Sequence, residues 1–127
     1  MSVLKINILK KMMANAQSQA TVVLDGNLDN STVPSLEPKL TEVLAGQPNQ
    51  LVFDLGKLKY VTSAGIRLFL LASKQQKQRN SQTAFIHLQP QIKEVFDIMG
   101  TLRDMQIFKD VAELDAYLLA RQRLHHP

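Results

Sequence analysis

The run QLVFDL, residues 50–55, is almost continuously apolar. A strand with one wet face alternates apolar and polar side chains; a strand that does not alternate is covered on both faces. This run therefore predicts a central strand inside a sheet. GKLKYV leads from it into TSAG, Thr62–Gly65. The period then changes: IRLFLLASKQQKQR carries Ile66, Phe69 and Leu70 on an inner half and Lys74, Lys77 and Arg79 on an outer half. That spacing predicts a helix.

The same alternation of periods runs through the rest of the chain. VLKINIL (3–9) alternates and reads as a first strand, KKMMANAQSQ as a hairpin-like connection, and ATVVLDG (20–26) as a second strand ending in a glycine turn. Val33, Leu36, Leu40, Val43 and Leu44 then share a helical face. Ser31 or Thr32 suits the cap of that helix and Gly46 its end. Pro34 fits the first turn, where no amide is needed; Pro38 is expected to delay or bend the helix. TAFIHL (83–88) reads as a strand. Pro90 opens a helix with Ile92, Val95, Phe96 and Met99 inward, and Gly100 closes it. MQIF (105–108) reads as a short strand. Asp110 and Glu113 form a capping-box pattern before a last helix with Val111, Leu114, Leu118 and Tyr117 as its stripe. The order β-β-α-β-α-β-α-β-α predicts an α/β domain: a mixed sheet of about five strands, with about four helices packed mainly on one face. One domain spans 1–127, with its core over about 3–120 and a frayed tail over 121–127.

Composition removes several functions. No cysteine is present, so disulfides, thiolate metal sites and cysteine nucleophiles are excluded. Lysines at 5, 10 and 11 break the opening apolar run, which makes a poor signal peptide. No apolar run nears the ~20 residues that span a bilayer. A cytoplasmic protein without membrane insertion is expected, and a monomer is the economical state. The net charge is +4; residues 1–50 hold four charges of each sign, and 51–127 hold eleven basic and seven acidic. That excess favours an acidic partner surface. With five Phe, two Tyr and no Trp it lacks the dense basic, aromatic-interleaved stripe of a nucleic-acid binder.

TSAG sets two hydroxyls at a predicted helix start. The plain reading is an N-cap. A helix start also presents free amides and the positive end of the dipole, so a phosphate on Ser63 would find support there. Catalysis is poorly provided for. The histidines are His87, at a strand end, and His125 and His126, adjacent near the end of the chain. No double-glycine elbow surrounds Ser63, no P-loop occurs, and no ligand cluster joins His125 and His126. No enzyme activity, cofactor or metal is expected. Asp29 and Asp54 each read as turn or loop-amide acceptors. Both also fall at expected strand-to-helix connections, and with Thr62 and Ser63 they are expected to form one polar surface.

Taken together, LDGNLDNST, LVFDLGKLKYVTSAGIRLFLLASK and IKEVFDIMGTLRDMQIFKDVAEL resemble the STAS domain family of bacterial anti-sigma factor antagonists, over residues 1 to about 120. The resemblance implies a STAS-like sheet and a non-enzymatic regulator. Unphosphorylated, such a protein captures an anti-sigma factor that is also a serine kinase. Phosphorylation of the motif serine ends the binding, and a PP2C-class phosphatase restores it. The motif serine matches Ser63, with Thr62 as rival acceptor. Asp29, Asp54, Thr62, Ser63, Ala64, Gly65 and Arg67 are the implied partner-binding residues. The chain departs from the common D-S-S-G-L-G pattern at Thr62 (aspartate), Ala64 (a hydroxyl residue) and Arg67 (glycine). Another branch of the family serves as a non-catalytic subunit of lipid-transport or sensory complexes without a phosphorylation switch; it is the alternative.

Overall fold

The computed structural model describes residues 2–14 and 16–125. Its elements follow the expected order: β1 (Leu4–Met12), β2 (Ser18–Leu28), α1 (Val33–Ala45), β3 (Gln50–Val61), α2 (Ser63–Gln78), β4 (Gln82–Ile86), α3 (Pro90–Ile98), a short 3-10 turn (Leu102–Asp104), β5 (Ile107–Phe108) and α4 (Val111–His125). The strands lie in chain order across one sheet. β1 is antiparallel to β2, and the β2–β3, β3–β4 and β4–β5 pairs are parallel.

Three helices, α1, α2 and α3, cover one face. Leu36, Leu40, Ile66, Phe69, Ile92 and Phe96 bury there against Val22, Leu24, Phe53 and Phe85. α4 lies on the other face, where Leu114 and Leu118 meet Val52, Ala84 and Ile86. The apolar β3 run is thus covered on both sides, as its lack of alternation requires. A cluster of phenylalanines ties α2 to the sheet. Phe53 of β3 stacks on Phe85 of β4 at 5.1 Å, and Phe69 of α2 packs on Phe53 at 4.9 Å and on Phe85 at 5.4 Å. Phe96 of α3 closes the group at 6.1 Å from Phe69. Such pairs add about 0.5–1.5 kcal/mol each beyond burial.

Several boundaries differ from expectation, each for a local reason. β3 does not stop at Leu55. GKLKYV continues it to Val61, because its outer half pairs with Asp25–Leu28 of β2 across two register shifts. On its other edge, past the end of β4, the Gln89 side-chain amide donates to the Gly56 and Leu58 carbonyls at 2.9 and 3.0 Å. Gly26 is not a turn. It sits inside β2 at φ +121°, and a Cβ there would lie 2.2 Å from the Val3 carbonyl oxygen. β4 ends at Ile86 because His87 adopts a left-handed φ of +61°. α1 continues through Pro38, which is exposed and does not delay the helix start at Val33. α4 takes in residues up to His125, where a tail was expected from 121; His126 and Pro127 lie outside the described residues. Among the described residues no helix is long and apolar enough to cross a membrane.

Candidate functional site

The C-terminal ends of β2 and β3 lie side by side, with Leu28 paired to Val61. Each strand then turns into a helix, β2 through Asp29–Thr32 into α1 and β3 through Thr62 into α2. The Thr62 amide donates to the Leu28 carbonyl at 3.0 Å, and the Thr62 hydroxyl reaches the Asn30 side-chain oxygen at 3.5 Å. The Asp29–Asn30 loop and the start of α2 are therefore one surface.

Asp29 organises its own loop. Its carboxylate accepts from the Ser31 amide (2.9 Å), the Ser31 hydroxyl (2.6 Å) and the Thr32 amide (3.2 Å), and from the Ser2 hydroxyl. The Ser2 hydroxyl first, then the Ser31 hydroxyl, hold its pKa down at about 2. Asp29 is thus the turn-forming acid that the sequence suggested. Thr32 occupies the cap position of α1 but makes no side-chain cap. Its hydroxyl donates instead to the Asn27 carbonyl at 2.8 Å.

Thr62 likewise takes the cap position of α2, with extended backbone and no side-chain cap. Its carbonyl accepts the first helical bond, from the Ile66 amide at 3.1 Å. Ser63 is the first residue of α2 and is exposed. Arg67 lies one turn on, also exposed. Its Nη2 donates to Ser63 Oγ at 3.1 Å and its Nε to the Ser63 carbonyl at 3.3 Å. Ala64 is half-buried, and Gly65 is buried under the strand ends. A Cβ on Gly65 would stand 2.7 Å from Leu28 Cγ and 2.9 Å from Val61 Cγ2. Only glycine lets the helix start sit this close to the sheet.

Asp54 stands apart from this group. It lies within β3, opposite the end of β4, and on the α4 side of the sheet. The strand from Asp54 to Val61 covers on the order of 20 Å at the usual rise. Its partners are the Gly56 amide at 3.1 Å and His87 Nδ1 at 2.9 Å. The expected surface of two carboxylates and two hydroxyls is therefore corrected to one carboxylate and two hydroxyls. The reason is that β3 runs on past Asp54, so no connection to a helix begins there.

Three exposed neighbours were not picked out from the sequence. Asn30 meets Thr62 directly. Tyr60 is 54% exposed on β3 just before the helix, and Leu71 is 56% exposed on α2. Ser63, Arg67 and Leu71 recur at four-residue spacing and so share one helix face. That spacing, and the outward register of Tyr60 between buried Leu58 and Val61, were the available signals.

Comparison with known proteins bears on this site. The profile of the STAS domain matches residues 11–114. A Bordetella bronchiseptica protein named as an anti-sigma factor antagonist, BtrV, is 32% identical over 94 residues, covering 74% of this chain and 81% of its own. Among solved structures, an anti-sigma factor antagonist from Mycobacterium paratuberculosis superposes with a TM-score of 0.73 at 20% identity, over 92% of this chain and 95% of that one. The Bacillus cell fate determinant SpoIIAA in its phosphorylated form superposes with a TM-score of 0.62 at 19% identity, over 87% and 99%. These two structural likenesses concern the fold.

Proposed function

The chain belongs to the STAS domain family, and from that premise we propose that it is a non-enzymatic anti-sigma factor antagonist switched at Ser63. Unphosphorylated, it captures an anti-sigma factor with serine kinase activity and so frees the sigma factor. Phosphorylation of Ser63 releases the kinase, and a PP2C-class phosphatase resets the chain, all within the cytoplasm.

The observation that carries this reading is an exposed serine hydroxyl at the first residue of α2, beside the Asp29–Asn30 loop. The relative BtrV bears the name of an antagonist, and SpoIIAA of the same fold has been solved phosphorylated. The docking surface comprises the Asp29–Asn30 loop, Tyr60 and the Ser63–Arg67–Leu71 face. The exposed Tyr60 and Leu71 supply apolar contact area, as interface anchors do. A phosphate adds about −1.5 to −2 charges at the centre of that surface. A partner fitted to a neutral hydroxyl then meets a bulky dianion that it must desolvate. Thr62 is half-buried and Ser63 exposed, which favours Ser63 as acceptor.

The test is to incubate the chain with its anti-sigma factor kinase and ATP and to map modification by mass spectrometry. Phosphate on Ser63 is the expected result. Phosphate on neither Ser63 nor Thr62 would overturn the switch.

A further inference from the structure

We propose that Arg67 is the internal receptor for the Ser63 phosphate: on modification its guanidinium pairs with the new dianion and is withdrawn from the docking surface. This rests on Ser63 being the modified residue. Modification forms a bond from Ser63 Oγ to the terminal phosphorus of ATP, breaks that phosphorus's bond to ADP, and passes the hydroxyl proton to the kinase's base. The product places phosphorus one bond beyond Oγ, with up to two negative charges shared over its three outer oxygens.

Arg67 is already turned towards that position. Its Nη2 holds Ser63 Oγ at 3.1 Å while its Nε holds the Ser63 carbonyl at 3.3 Å, so two arms of the fork grip the residue that is to be modified. Among the described residues no carboxylate is ion-paired with Arg67. The side chain is exposed and free to move the short distance from Oγ to the phosphate oxygens. A planar guanidinium offers two parallel N–H groups to phosphate, a geometry that lysine does not match. The order also fits. An anion four residues before a cation on a helix is the favourable arrangement of such a pair.

The functional consequence goes beyond added charge. In the unmodified chain Arg67 stands on the docking face without a salt-bridge partner among the described residues, available to an acidic group of the partner. In the modified chain it is spent on its own phosphate. One phosphorylation then both adds an anion and removes a cation from the same patch.

The experiment uses the whole chain with phosphoserine installed at position 63 during translation, so no kinase is needed. The phosphate is titrated by phosphorus NMR in the natural background and in Arg67→Ala and Arg67→Lys. With Arg67 in place, the second ionisation of the phosphate is expected at a pH lower by about half a unit or more than in Arg67→Ala, since a nearby opposite charge favours the ionised form. Arg67→Lys is expected in between. Coincident titrations of the natural background and Arg67→Ala, both folded by circular dichroism, would overturn the receptor role. That result would leave phosphorylation by the kinase untouched. Failure of the kinase to modify Ser63 would count against the switch itself and would not alter these titrations.

Discussion

The Thr62 amide donates to the Leu28 carbonyl at 3.0 Å, so the first residue before α2 is pinned to the last residue of β2. Two strand-to-helix connections are thereby held as one surface, and the position of Ser63 follows from the packing beneath it. Gly65 is the point where that packing is tightest. Gly65→Ala sets a methyl within 2.7–2.9 Å of Leu28 and Val61. Overpacking of this kind costs about 1–3 kcal/mol. Urea unfolding should show that loss, and kinase binding should weaken because the helix start is displaced. A variant as stable as the natural chain would show that α2 can shift without strain.

Thr62 looks like a cap in sequence and takes the cap position in the fold, but its hydroxyl does not bond the first-turn amides. A true Ser or Thr cap is worth about 1 kcal/mol. Thr62→Ala is therefore expected to cost less than about 0.5 kcal/mol in urea unfolding, the scale of an ordinary surface change. A loss at or above the full capping value would contradict this account of the residue.

Asp29 has a depressed pKa, about 2, set by the Ser2 and Ser31 hydroxyls. A carboxylate whose folded value lies below its unfolded value of about 3.9 stabilises the fold above that unfolded value. The contribution fades as pH falls through roughly 4 to 2. Urea midpoints measured at pH 5 and pH 2.5 should fall further in the natural chain than in Asp29→Asn. Equal falls would remove Asp29 from the acid sensitivity.

Asp54 tests the extent of the docking surface. It faces the α4 side of the sheet and bonds His87 and the Gly56 amide. Asp54→Asn should change kinase affinity by less than about twofold, a few tenths of a kcal/mol. Asn30→Ala and Leu71→Ala should each weaken it by more, as changes within the surface do. A large loss from Asp54→Asn at unchanged stability would extend the surface to the far side of the sheet.

Much of this arrangement was legible in the sequence, and the exceptions have common causes. Element order and the buried faces followed from period, because Val22, Leu24, Phe53, Phe69 and Phe96 occupy positions that only the core can accept. Strand lengths did not. Whether GKLKYV is a loop or a strand depends on pairing with β2 and on Gln89 bonding its free edge, both of which are tertiary facts. That single extension moved Asp54 away from the site. Gly26 was read as a turn because glycine tolerates positive φ there. Inside a strand the same freedom serves a bulge, with the Val3 carbonyl too close for any side chain. The Arg67–Ser63 contact was implicit in four-residue spacing, but its direction needed the side-chain geometry.

In the proposed switch the docking surface reads the state of Ser63, and that dependence is open to direct measurement. It is tested most directly by calorimetric titration of the anti-sigma factor kinase with two forms of the chain, one carrying serine at position 63 and one carrying phosphoserine. Clear binding of the serine form is expected, with affinity weaker by about a hundredfold for the phosphoserine form, the equivalent of roughly 2.7 kcal/mol. Equal affinities would contradict it.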